Sequence, residues 1–171
     1  MSDRDDQFSA FVRTRGTSLY RLATLLTGNP SDGEDLLQIV LEKTYRRWNR
    51  LEAVDSPEAY VRQALVNAAR SQWRLRMLRR EHLLGEPPDA AVYGGHRSML
   101  ERHALLEALS GLTHQQRSVI VLRFFADQDE AEVARLLGCS VGTVKAHSSR
   151  GLQRLRDNFE LSGSTFDLVQ E

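Results

Sequence analysis

Gly138 does more than any other residue to constrain what the C-terminal third of this 171-residue chain can fold into. It separates DEAEVARLL from SVGTVKAHSSRGLQRLR, two stretches that each begin with a helix cap. Asp129 and Glu132 stand at capping-box spacing, which predicts a helix burying Val133, Leu136 and Leu137. Gly138 ends that helix, and Ser140 is an N-cap for the next, where Val141, Val144, Ser148, Leu152 and Leu155 recur on one side. Two short helices joined by a glycine turn make a helix-turn-helix.

The side opposite that stripe carries Gly142, Ala146, Ser149, Arg150 and Gln153, flanked by Lys145, His147 and Arg154. Small residues let a helix approach a groove floor. Arg and Gln donate to base edges, and Lys, Ser and Arg to phosphates. A solvated basic surface helix is the plainer alternative. The agreement of cap, turn and face composition favours duplex DNA.

Net charge is zero, with 23 basic and 23 acidic residues, which taken alone argues against a nucleic-acid partner. The distribution reverses that reading. Residues 62–80 carry six arginines and no acid, and residues 140–156 carry four cations and no acid. Two basic patches therefore stand on a neutral chain. The single cysteine, Cys139, excludes an intramolecular disulfide, and no apolar run reaches the length of a membrane span. MSDRDDQF is the reverse of a signal peptide, so the expected location is cytoplasmic, without membrane insertion.

Taken in order, Phe8, Phe11, Val12, Leu19, Leu22, Ala23 and Leu26 predict an amphipathic helix from about Asp5 to Thr27, ended by Gly28, Asn29 and Pro30. Ser31 with Glu34 predicts a capping box for a second helix running to about Arg50, with Leu37, Val40, Leu41, Thr44, Trp48 and Leu51 facing a core. Its other side projects Asp35, Gln38, Ile39, Glu42 and Arg46, an aliphatic ringed by polar groups as on a protein-binding surface. A lone exposed apolar residue is equally ordinary. Ser56 and Pro57 start a third helix to about Arg80, burying Val61, Ala64, Leu65, Ala68 and Leu75.

Asn67, Arg70, Arg74 and Met77 lie roughly opposite, with Trp73 at the border. Arginines beside an aromatic and an amide suit single-stranded nucleic acid, although a basic solvated helix has the same composition. Residues 84–97, LGEPPDAAVYGGHR, read as a linker. Beyond it, Ser98 with Glu101 restarts helix through Leu100, Ala104, Leu105, Ala108 and Leu109, stopping near Gly111. Thr113 with Gln116 caps the next, whose core candidates are Val119, Ile120, Leu122, Phe124 and Phe125. The expected fold class is all-α: two small helical domains joined by a flexible linker, the second ending in the helix-turn-helix.

Nothing proposes catalysis. The Gly94 segment lacks the lysine of a phosphate loop. His82, His96, His103, His114 and His147 show no metal-ligand spacing. No catalytic residue, metal, cofactor or small-molecule substrate is expected.

Three segments resemble the extracytoplasmic-function (group IV, sigma-70 family) sigma factors of bacterial RNA polymerase, particularly the actinobacterial kind: GEDLLQIVLEKTYRRW, SPEAYVRQALVNAARSQWRLR, and the stretch from Leu112 to Arg156. The resemblance implies a region 2 over 1–82, a linker over 83–98, a region 4 over 99–160 and a tail over 161–171. It implies that Asp35, Gln38, Ile39 and Glu42 dock on the polymerase, with β′ and β as partners. Asn67, Arg70, Trp73 and Arg74, with the loop Leu51 to Ser56, would take the −10 strand. Ser140, Thr143, Lys145, Ala146, His147, Ser149, Arg150 and Gln153 would face the −35 duplex. Ile39 stands where the family usually has an acid, and Ala146 and His147 stand where a basic or hydroxyl residue is common.

The expected function is a transcription initiation factor that binds core polymerase and promoter DNA and melts −10 without ATP, with an anti-sigma factor an open further partner. A free-standing helix-turn-helix regulator with an N-terminal sensor or dimerisation module is the main alternative. A protein with a vestigial DNA-binding half is another.

Overall fold

The computed structural model describes residues 3–51, 56–82 and 97–161. They form helices α1 (Asp3–Thr27), α2 (Pro30–Arg46), α3 (Trp48–Leu51), α4 (Pro57–His82), α5 (Arg97–Ser110), α6 (His114–Ile120), α7 (Glu130–Leu137) and α8 (Val141–Leu161). No strand occurs among the described residues, as expected of an all-α chain. The expected linker and tail lie outside them, apart from helical backbone at Arg97, Ser98 and Leu161. The chain divides into two compact units, Met1–Ala69 and Arg70–Glu171, the division falling inside α4.

In the first unit α1 supplies Leu19, Leu22, Ala23 and Leu26 to the core, α2 Leu36 and Val40, α3 Trp48 and Leu51, and α4 Val61, Leu65, Val66 and Ala69. Gly33 sets how closely α1 and α2 approach. A Cβ there would lie 2.6 Å from the Thr24 Cα, so only hydrogen fits. A second cluster gathers on the N-terminal turns of α1, where the ring of Phe8 stands 5.1 Å from those of both Tyr45 and Trp48. The Arg4 guanidinium sits 4.1 Å above the Tyr45 ring and donates to the Tyr45 carbonyl at 2.6 Å. The Tyr45 hydroxyl bonds Asp5 at 2.5 Å, and that bond to the carboxylate raises the phenol's pKa.

Two helix starts differ from expectation. The cap of α2 is Asn29, whose side chain accepts from the amides of Ser31 and Asp32, with Pro30 in the first turn. A Ser31 box is therefore two residues too late: proline takes the first helical position, where no amide hydrogen is needed. The helix also stops at Arg46, and a turn at Arg47 precedes α3, so it does not run unbroken to Arg50. Helix α5 begins at Arg97, one residue ahead of Ser98. Ser56, by contrast, caps α4 as expected, accepting the Ala59 amide at 3.2 Å.

Leu75 is 54% exposed, against the expectation that it is buried. The apolar period of α4 continues past Ala69, the last residue of the first unit, but among the described residues nothing buries it at Leu75.

The second unit is centred on Leu109, Val119, Ile120, Val121, Leu122, Val133, Val144 and Leu155, each fully buried. Thr113 and Gln116 form the complete capping box of α6. Arg117 then closes the preceding helix, its Nε donating to the Leu109 carbonyl at 3.0 Å. Burial, with the charge of Arg76, lowers the pKa of this guanidinium. After Ile120 the backbone widens into a π-helical turn over Val121–Phe125, closed by the Ala126 amide on the Val121 carbonyl. Phe124 and Phe125 are accordingly only half-buried. Asp127, at φ 51°, completes the reversal into α7.

Candidate nucleic-acid and protein interfaces

The helix-turn-helix is built as its caps dictate. The Asp129 carboxylate accepts the Glu132 amide at 2.8 Å, and Glu132 itself holds Arg135 through two bonds of 2.6 and 2.8 Å. Gly138 adopts the left-handed conformation, φ 65°, with no atom near an added Cβ, so its requirement is conformational rather than steric. The Ser140 hydroxyl accepts the Thr143 amide at 3.1 Å and lies 2.9 Å from the Thr143 hydroxyl. Both are thus engaged in starting α8.

The expected outward face of α8 is outward. Gly142, Lys145, Ala146, Ser149, Arg150, Gln153 and Arg154 are exposed. Thr143 and His147 are only half-buried flanks, and His147 Nδ1 is buried without a partner among the described residues. Val141, expected in the buried stripe, is 39% exposed. As the first residue of α8 its side chain points back past the helix start rather than onto the preceding helix. The inward side is made by Val144, Leu155, Phe159 and Gly151, whose missing Cβ leaves room for Ile120 at 3.0 Å. A cleft of about 740 Å³ runs beside the face, lined by Gln116, Ser149, Arg150, Gln153, Arg154 and Arg156 among others.

Lys145 has a partner that sequence reading missed. Its ammonium lies 3.7 Å from Glu130, whose other oxygen is 3.6 Å from Arg123. No sequence signal marks this, because the three residues belong to different helical segments.

In the first unit Asp35, Gln38, Ile39 and Glu42 are all exposed on α2. Ile39 is 42% exposed, and Glu42 pairs with Arg46 one turn on. The structure thus brings these four together on one helix face.

The residues expected to take single strand are more varied. Asn67 is exposed, and its side-chain oxygen accepts from Gln63 at 3.1 Å. Arg74 is exposed. Within the second unit, Arg70 donates to the Leu137 carbonyl, and Trp73 stacks on His114 at 5.1 Å and 16° between planes. His114 is 8% exposed. Burial, then the charges of Arg117 and Arg70, hold it at a pKa of about 4. Of the loop Leu51 to Ser56, residues 52–55 lie outside the described residues.

An all-α chain whose C-terminal unit ends in a capped helix-turn-helix with a basic, small-residue outer face defines a helix-turn-helix DNA-binding protein. Comparison with known proteins narrows the class. Residues 11–79 match the family described as Sigma-70 region 2, and residues 102–155 match Sigma-70, region 4. The RNA polymerase sigma-E factor of Streptomyces avermitilis is 38% identical over 154 residues, covering 90% of this chain and 86% of that protein. The ECF RNA polymerase sigma factor SigX of Bacillus subtilis is 27% identical, covering 92% and 86%. In fold the chain is similar to the sigma factor RpoE of Bartonella quintana, solved in complex with the anti-sigma factor NepR, with TM-score 0.75, 24% identity, and coverage of 91% and 98%.

The chain belongs to the extracytoplasmic-function sigma factors of the sigma-70 family, which direct transcription initiation by RNA polymerase. The region 2 match disfavours a sensor or dimerisation module in the N-terminal half, and with it the free-standing regulator.

Proposed function

We propose that this sigma factor divides promoter recognition between the two segments matched to regions 2 and 4, taken as modules 1–82 and 99–160 joined by a linker over 83–98. The α2 face of Asp35, Gln38, Ile39 and Glu42 docks on core polymerase, and α8 lays Lys145, Ala146, Ser149, Arg150 and Gln153 against −35 duplex. Ser140, Thr143 and His147 shape the start and flank of that helix. Asn67, Arg70, Trp73 and Arg74 take the −10 strand once its bases unstack, which costs a few kcal/mol and needs no ATP if strand capture and polymerase contacts offset it. The observation that carries the duplex-reading half is the outward, exposed position of Ser149, Arg150 and Gln153 on a helix whose opposite side is buried at Val144, Gly151, Leu155 and Phe159.

Retention on immobilised core polymerase tests the docking face. Asp35→Ala is expected to weaken retention about fivefold or more, as for a central interface residue. Undiminished retention would show that the face does not dock.

Run-off transcription tests the −35 face. Arg150→Ala is expected to lower promoter use by about 1–3 kcal/mol of recognition energy while polymerase retention is unchanged. Loss of both together would make Arg150 structural.

A further inference from the structure

Resting on the reading of α8 as the duplex-binding helix, we propose that Glu130 is a built-in electrostatic brake on DNA engagement, acting by holding Lys145. Glu130 stands in the first turn of α7, between the π-helical turn and α8. Its two carboxylate oxygens face different cations, Arg123 at 3.6 Å and Lys145 at 3.7 Å. The carboxylate side chain is 32% exposed and that of Arg123 27%, whereas Lys145 is 65% exposed. The acid is therefore held in place from its sheltered side by Arg123, while the lysine it restrains remains within reach of a ligand.

A DNA phosphate approaching α8 must compete with Glu130 for this ammonium. At 3.7 Å, with one partner largely solvated, the pair is weak enough for a polyanion to break and strong enough to lower affinity while intact. The remaining cations of the face, Arg150, Arg154 and Arg156, make no ion pair among the described residues, so the restraint falls on one position. The device suits a chain of zero net charge that carries a basic DNA-reading face. Duplex met by the free protein is held loosely, and the pair opens when polymerase supplies the rest of the binding energy.

The test is a double-mutant cycle on the full chain, reading affinity for a short mixed-sequence DNA duplex at fixed low salt. Glu130→Gln is expected to bind about two- to fivefold more tightly, the worth of an exposed pair. In a Lys145→Ala background the same change should give no gain. Glu130→Asp, which keeps the charge at the start of α7 but shortens its reach, should show a partial gain, and this covers the case in which Gln disturbs the fold.

Unchanged affinity in Glu130→Gln, while Arg150→Ala weakens binding, overturns the brake and leaves the duplex-reading face standing. A gain that persists without Lys145 overturns it too, since added positive charge alone then accounts for the effect. Undiminished binding in both Arg150→Ala and Lys145→Ala overturns the reading of α8 itself, and the brake with it.

Discussion

Gly33→Ala is expected to destabilise the first unit by about 3 kcal/mol, the upper end of overpacking costs, because the new methyl meets backbone. A Cβ at position 33 would stand 2.6 Å from the Thr24 Cα and 2.7 Å from its amide nitrogen. Neither atom can swing aside as a side-chain tip would. Relief requires α2 to move off α1, and α2 carries Asp35, Gln38, Ile39 and Glu42, so polymerase retention should fall along with stability.

Gly16→Ala is the control. It lies in α1, the helix that α2 packs on, an added Cβ would meet nothing closer than Val12 Cγ1 at 3.6 Å, and it should gain up to about 1 kcal/mol from helix propensity. Urea unfolding of both variants checks the pair. Equal effects would show that the α1–α2 crossing is not set by position 33.

Acidification is expected to destabilise the second unit through His114. The folded protein holds this imidazole at about 4, below its ordinary 6.5, because burial and the nearby Arg117 and Arg70 disfavour its cation. The unfolded chain therefore binds the proton more readily than the folded one. Stability from this group is complete above pH 6.5 and is lost progressively as pH falls towards 4, on the order of 2 to 3 kcal/mol in all. Trp73, stacked on the ring, reports the transition by its fluorescence once Trp48 is replaced by Phe, since the chain has two tryptophans. Against that background, His114→Gln should lose distinctly less stability between pH 7 and pH 4. An equal loss would assign the acid sensitivity to other groups.

The parts of the fold that were legible in the sequence are those governed by local chemistry. The Thr113/Gln116 box, the Asp129 and Ser140 caps and the Ser56 start depend on side chains bonding amides three residues away, and the Gly138 stop on that residue's own left-handed φ. Where local signals competed, the wrong one could be chosen: Ser31 had the right spacing, but Asn29 with Pro30 behind it was the stronger start. Periodicity found Leu22, Val40, Leu65 and Leu155, and failed at Leu75 and Val141. A helix repeats its pattern whether or not anything covers it, so the end of a core is invisible to a moving window.

By itself the sequence determined the all-α class, the helix-turn-helix, the exposed α2 face and the two basic patches on a neutral chain, since each follows from spacing along one segment. Only the tertiary structure decided the partners of those segments. It put Gly33 against the Thr24 backbone, Trp73 on His114, Arg117 over the end of α5, and Glu130 between Arg123 and Lys145. Such pairings join residues from different elements, and their distances are set by how the helices pack rather than by any interval along the chain.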